Sequence, residues 1–583
     1  MGLDKDRRAF LRTAAKLGLS AGALVIFEQA CSQVDSPSIS SSVLATPQSR
    51  VNPTPQPRVT PTPQPRVPPT PQPRVSPTAQ PRVTPTAQPR VAPTAQPRVT
   101  STPVAYPTAT PRIVPDPVVE STATAEPTVI SAPHTTTSAP DDSSITDQRV
   151  RMGHLLRRAG FGANRQEIDK FLDMGEEKTV SFLLEYDQVD DSDVDMRLAA
   201  LNLDPLDHSL RDLQRMALIR MIYTQRPLLE KMVLFWHGLL TSGFKKVGRG
   251  PYMLNQDELF RHHALSPYDG LLKAVAKDPA MMIWLDSRVN KKNKPNENFA
   301  RELMELFSMG VGTFTEFDVK EAARSFTGWS LRKKEFFFEE NQHDFGQKTF
   351  LGITGNHDGT DIVDIVMDQP ITSQFISKKL FEFFAYENPE QEILAELAST
   401  FNATGYSIKA VVEKILTSDE FYSRKAYRAK IKSPVELVAG TVRTLGIETH
   451  ANNFGSNYVT PMGQELFNPF DVSGWPEGGE WINSSTLLNR LNFVNAVSKG
   501  NKRAFDYDLV TSLKSNNINS TEEAVDYLLD LCLDSVVPDQ ERAVFVGYLD
   551  GLVGGGNSVN ALNKSRLGSL MYLVMSSPDY QLG

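Results

Sequence analysis

Glu297, Arg301 and Glu305 recur every fourth residue in Lys294-Pro-Asn-Glu-Asn-Phe-Ala-Arg-Glu-Leu-Met-Glu-Leu-Phe-Ser-Met-Gly310, with Glu302 beside them. On a helix this spacing lets one guanidinium bridge two carboxylates. The plain reading is a solvated face carrying surface ion pairs, each individually weak. The chemical reading is a half-buried polar cluster. Glu302 and Glu305 stand three residues apart and approach the low end of the roughly 5–9.5 Å separation that glycoside-cleaving carboxylates use. Arg301 would hold a polar substrate against them. A second group is His343-Asp344, on a turn, where a carboxylate beside an imidazole holds its tautomer and tunes its basicity. Glu302, Glu305, Arg301, His343 and Asp344 are therefore the candidate catalytic set of a hydrolase.

The same donors suit a divalent metal as cofactor. No His-x-x-x-His or Cys-x-x-Cys spacing occurs, so such a site would gather distant residues, Glu302, His343 and Asp344 with His237. Most lone histidines are hydrogen-bonded core residues instead. Gly355-Asn-His-Asp-Gly-Thr-Asp361 carries oxygen ligands at alternate positions but lacks the closing glutamate of a calcium loop. It reads better as a glycine turn feeding a helix cap at Asp361. No Gly-x-Ser-x-Gly, phosphate-binding glycine loop or dinucleotide fingerprint is present. That argues against common serine hydrolases, nucleotide hydrolysis and nicotinamide chemistry.

The tryptophans give a third candidate. All five, Trp236, Trp284, Trp329, Trp475 and Trp481, read first as large core anchors, with a ligand platform as the alternative. Trp475-Pro-Glu-Gly-Gly-Glu-Trp481 places two indoles on a glycine-flanked loop, suited to a saccharide or peptide. Trp475, Trp481 and Arg324 form the candidate substrate-binding set.

The elements that must position these groups are mostly helical. Phe299, Leu303, Leu306 and Phe307 make the apolar stripe of the central helix. Pro295 and Asn296 suit its start, and Gly310 suits the left-handed residue past its end. Leu210–Tyr223 and Leu228–Leu240 are strongly periodic, and Leu271–Leu285 reads as one helix bent at Pro279. Thr315-Glu-Phe-Asp318 spells a capping box. The one β signal pairs Lys334–Glu340 with Lys348–Ile353 through His343–Gly346. The expected fold is mainly α, a multi-helix globular domain with a small β-hairpin, preceded by a disordered Pro/Thr-rich stalk.

Three segments follow. Residues 1–31 read as a twin-arginine signal, with Arg7-Arg8 before a short apolar run from Leu17 to Phe27. That run is shorter than the roughly 20 residues a membrane span needs. It ends at Glu28-Gln-Ala-Cys31, where lipoprotein processing would lipidate Cys31 and provide a membrane anchor. Glu28 stands where an aliphatic residue is usual, so simple cleavage is the alternative. Residues 32–146 are the stalk. Arg50, Arg58, Arg66, Arg74, Arg82, Arg90 and Arg98 mark an octapeptide repeat over 50–100. Its prolines block helix and sheet alike, and it offers few large apolar side chains for a core. An extended chain of about 3.1 Å per residue is expected. Residues 147–583 are the folded part, with a subdivision near 440. The second cysteine, Cys532, lies among apolar neighbours and reads as a buried thiol. The net charge of −8 and the lack of a basic stripe argue against nucleic acid as partner.

The folded part carries a chain of distinctive segments. They include Met152-Gly-His-Leu-Leu-Arg-Arg-Ala-Gly-Phe-Gly162, Phe235-Trp-His-Gly238 and Phe260-Arg-His-His-Ala-Leu265. Asp278–Asp286, Pro295–Phe307 and Ala323-Arg-Ser-Phe-Thr-Gly-Trp329 follow. After them come His343–Lys348, Lys432-Ser-Pro-Val-Glu436 and Gly463–Pro476. In kind and order they resemble the bacterial family called "domain of unknown function 1800", from about Val150 to at least Ser498. The resemblance implies an exported, mainly helical protein and no particular activity. The chain departs from the usual pattern at Gly238, where phenylalanine is commoner, and keeps His237.

Two functions are carried forward. One is a surface-anchored domain that binds or scaffolds a cell-envelope polymer or a partner protein. The other is an extracytoplasmic hydrolase, metal-dependent in one form. The hydrolase expects Glu302 and the His343-Asp344 turn to converge on one pocket. The binding domain expects those charges to be spent on arginines and the aromatic loop to stand alone.

Overall fold

Apolar residues at helical spacing dominate 147–583, and the computed structural model is accordingly a stack of helices. It describes residues 143–583, apart from 205–206, 501–503, 506 and 554–562. The signal segment, Cys31 and the repeat lie outside the described residues. Packing begins slightly before the expected boundary, since Ser144 bridges to Ser423 and Ile145 is buried.

The first helices are α1 (Gln148–Arg158), α2 (Arg165–Met174), α3 (Glu176–Leu184), α4 (Ser192–Ala199), α5 (Leu210–Tyr223) and α6 (Pro227–Leu239). After the short α7 (Phe244–Val247) and α8 (Gly250–His262), the segment expected as one bent helix is two, α9 (Tyr268–Ala276) and α10 (Pro279–Trp284). Asp278 caps α10, accepting from the Met281 amide at 2.8 Å, and Pro279 takes the first helical position. The break is thus a full stop and restart rather than a kink.

The central helix is α11 (Asn298–Glu305), shorter than its apolar stripe suggests. Asn296 accepts from the Asn298 amide at 3.0 Å, and Gly310 adopts φ +85° beyond the last turns. Phe299, Leu303 and Phe307 are buried as the stripe requires. Helix α12 (Glu316–Ser325) begins at the expected Thr315/Asp318 capping box.

The β structure differs from expectation. Lys334–Glu340 and Lys348–Ile353 do not pair with each other. Trp329–Arg332 (β1) pairs with Glu335–Phe338 (β2), and Lys348–Phe350 (β3) with Ile353–Gly355 (β4). Each hairpin closes through two residues at positive φ, Lys333-Lys334 (51° and 76°) and Leu351-Gly352 (46° and 82°). That two-residue geometry matches strand twist and makes each pairing local.

Helix α13 (Gly359–Met367) is capped by Asp358, with Asp361 as its reciprocal partner three residues on. The oxygen-rich stretch before it is thus a capping box. The chain continues through α14 (Pro370–Phe384), α15 (Gln391–Ala403), α16 (Ile408–Leu416), α17 (Pro434–Thr444) and α18 (Ser484–Lys499). It ends with α19 (Leu509–Ser515), α20 (Thr521–Leu533), α21 (Asp539–Val553), α22 (Lys564–Ser576) and α23 (Pro578–Gln581).

Two apolar cores result. The first gathers side chains between Met152 and Ala429, including Trp236, Tyr268, Phe307 and Phe381. The second joins residues 435–580 to α5, through Leu213, Leu218 and Ile222. Helix α6 serves both, with Trp236 in one and Leu234 in the other. No helix among the described residues is long and apolar enough to cross a membrane.

Candidate functional site

The carboxylates of the central helix have different fates. Arg301 makes a two-pronged contact with Glu316, both bonds 2.8 Å, and reaches Glu297 at 3.5 Å. Glu316 comes from α12, so this arginine ties two helices together. Glu302 remains half-buried with no hydrogen bond or ion pair. Burial, then Glu305, raises its pKa; Arg301 opposes them, and Asp471 adds to the rise.

His343 and Asp344 point their chemistry apart. The buried His343 ring donates Nδ1–H to the Thr327 carbonyl at 2.7 Å, so a main-chain oxygen sets its tautomer instead of Asp344. Asp344 accepts from Arg324 Nε at 2.7 Å and from the Gly346 amide at 2.8 Å. The Arg324 hydrogen bond holds its carboxyl below the usual range. Arg324 also grips Glu321 at 2.9 Å, so it is spent here and does not join Trp475 and Trp481 in one site. Among the described residues, no group of three His, Cys, Asp or Glu side chains is gathered to hold a metal.

His237 is committed to architecture. Its Nε2 accepts from the Phe467 amide at 3.0 Å, and its ring packs edge-on to Trp475, centroids 4.9 Å apart. Burial pushes the imidazole down to about 4. This neutral acceptor fastens the 467–475 loop onto α6. Gly474 completes the join. It adopts φ +97°, and a Cβ there would stand 2.4 Å from the Gly238 carbonyl, so only glycine fits.

The loop so held walls a pocket of about 130 Å³. Trp475, Trp481, Phe235 and Phe383 supply its aromatic sides. The Trp475 indole donates to the Glu465 carbonyl at 3.3 Å, which fixes the ring's tilt. The volume gives room for a small group of a ligand. Gly238 lies in the wall, 3.9 Å from the Trp475 ring at its would-be Cβ. A larger hollow of about 730 Å³ lies between α2 and the turn after α17. Its wall is polar and its cations are occupied, Arg443 on Glu167 at 2.9 Å and Arg165 over Tyr527. Glu302, Glu305, His343 and Asp344 line neither hollow.

The family model described as "Protein of unknown function (DUF1800)" matches residues 154–582. The chain belongs to that family. No curated protein and no solved structure matches it. In this DUF1800 member four of the distinctive segments assemble the pocket. Phe235–Gly238, Lys432–Glu436 and Gly463–Trp475 meet there, and Met152–Gly162 sends in Arg158.

Sequence reasoning missed the charged residues around that pocket. Arg158 is 2% exposed, and Lys231 is fully buried and paired with Glu436. Lys231 holds the Glu436 carboxyl far below its usual range, although burial alone would raise it. Arg158, Lys430 and Glu436 stand in segments already singled out by motif or next to one. Their apolar neighbours were the available signal that they fold inward.

Proposed function

We propose that this protein is an exported binding domain of the cell envelope, which takes a terminal group of an envelope polymer into the Trp475 pocket. One observation carries the reading. Trp475, on a loop clamped by His237 and Gly474, lines a hollow with the buried Trp481 and with Phe235 and Phe383 from two helices. Preformed aromatic walls with a few polar groups are the usual make-up of a small-ligand site. Arg7-Arg8, the apolar run after them and the proline repeat support export and a tether. Cys31 supports attachment to the membrane by lipid.

The test uses the full chain and purified cell-wall glycan fragments, read by tryptophan fluorescence. Trp475→Ala removes one wall, and Gly238→Phe fills the hollow from a position whose Cβ would meet only the Trp475 ring, at an ordinary contact distance of 3.9 Å. Both variants should lose the binding signal, with Gly238→Phe keeping the wild-type melting temperature. Wild-type binding by both would sink the proposal.

A second reading, hydrolysis, rests on Glu302. A carboxyl pushed up by burial and by Glu305 and Asp471 is what a general acid needs. Asp471 belongs to the loop that carries Trp475. A metal-dependent form of this chemistry would show as stoichiometric metal after native export, lost in Glu302→Gln. Glycan fragments should then be cleaved by the wild type and only bound by that variant. Intact fragments after prolonged incubation with wild type exclude hydrolysis.

A further inference from the structure

We infer that the pocket selects ligands bearing an anionic group, a carboxylate or a phosphate on a sugar, received by Arg158, Lys430 and Lys379. The inference rests on the Trp475 pocket being the binding site. All three cations line it. Arg158 donates Nε to the Phe384 carbonyl at 2.9 Å and Nη2 to the Phe383 carbonyl at 2.5 Å. Lys430 donates to the Glu382 carbonyl at 2.5 Å. Lys379 is half-buried and makes no hydrogen bond or ion pair. Among the described residues, none of the three is ion-paired. Main-chain carbonyls fix the direction of two of these groups without neutralising them.

The acids of the same wall are Glu436, Glu382 and Glu477. Glu436 is taken by Lys231 and by the Ser433 amide at 2.8 Å. Glu382 accepts from the Asn388 amide at 3.0 Å and faces Lys378 at 3.9 Å. Glu477 is exposed and makes no ion pair, though its charge reaches Lys430 and offsets it in part. Behind the wall stand two more cations without carboxylate partners. Arg490, fully buried, donates to the Lys432 carbonyl at 2.8 Å and to Gln581 at 3.3 Å. Lys432 donates to the Tyr580 carbonyl at 2.6 Å. Gly583 stands close to Arg158 without an ion pair. Burial lowers the pKa of Arg158, Lys430, Lys432 and Arg490, and the nearby carboxylates, Glu436 at Arg158 and Arg490 and Glu477 at Lys430, offset it only in part. Buried charge that is only partly offset is costly, and an arriving anion recovers some of that cost where a neutral group does not.

The experiment compares three trisaccharides on the full chain, by fluorescence and calorimetry. They are galactotriose, tri-galacturonate and singly phosphorylated galactotriose. At low salt at least one anionic ligand should bind 10-fold or more tighter than the neutral one, and added salt should shrink that margin. The two anionic arms separate carboxylate from phosphate recognition. Lys430→Met and Lys379→Met should cut the margin below 3-fold, and Trp475→Ala should weaken every ligand that binds. Equal affinity for all three, no binding of any, or a margin unchanged in both lysine variants overturns the inference. Equal affinities that still depend on Trp475 would leave the pocket standing. An anion preference that survives Trp475→Ala and Gly238→Phe would instead remove the pocket.

Discussion

A buried imidazole that accepts a main-chain proton has to stay neutral. His237 does so by being held at about 4 against an ordinary 6.5. As pH falls from about 6.5 towards 4, the unfolded chain takes up the proton before the folded one. The stabilisation from this residue is therefore complete above about 6.5 and is lost towards 4, by about 3 kcal/mol at most. Asp278, pushed up to about 7 by burial, works with the opposite sign and loses stability as pH rises towards that value. The clean measurement is the difference between wild type and His237→Gln in denaturant unfolding. Glutamine can still accept from Phe467, so the variant should show a flatter slope between pH 4 and 6.5. Parallel curves would mean that His237 is not the group titrating. Glu302→Gln belongs to the same scale. Glu302 is crowded by Glu305 and Asp471, so the variant should melt slightly higher than wild type at pH 8 and identically at pH 4. A lower melting temperature at pH 8 would mean that the carboxylate has a favourable partner.

Some elements meet at a glycine. Gly359, at the start of α13, lies so close to Phe326 and Trp329 that a Cβ would come within 2.4 and 2.5 Å of their rings. Gly359→Ala must push α13 off that aromatic pair. It should cost about 1–3 kcal/mol in urea unfolding, and a neutral outcome would show that the rings move freely. Helices were legible because Phe299, Leu303 and Phe307 repeat at 3.6 and Thr315-Asp318 spell a start. The hairpins were misread because Lys333-Lys334 takes up a left-handed turn that asparagine and glycine would have advertised. The pocket was half legible. Trp475 and Trp481 were visible as a glycine-flanked pair, whereas Arg158 and Lys430 come from remote segments that only the folded chain brings together.

At the scale of the whole molecule, one side chain ties the two cores together. Arg443, on α17, donates to the carbonyls of Gly162 at 3.1 Å, Ile222 at 2.8 Å and Thr224 at 3.0 Å, and to Glu167 at 2.9 Å. Those partners come from the loop before α2, from α2 itself and from the end of α5. Arg443→Met strands four acceptors and should cost about 3–5 kcal/mol. Calorimetry should show the loss in one transition for the entire folded part. A variant in which only part of the chain melts early would show that the cores unfold independently.

The strut also bears on how the protein can be handled. A fragment stopped before Pro434 keeps every helix up to α16 yet leaves α5 without its apolar cover and Ile222 without its guanidinium. Such a piece should precipitate or be degraded, and a protease nick there should be lethal to both halves. Anyone dissecting this protein by deletion would do better to trim it from the proline side.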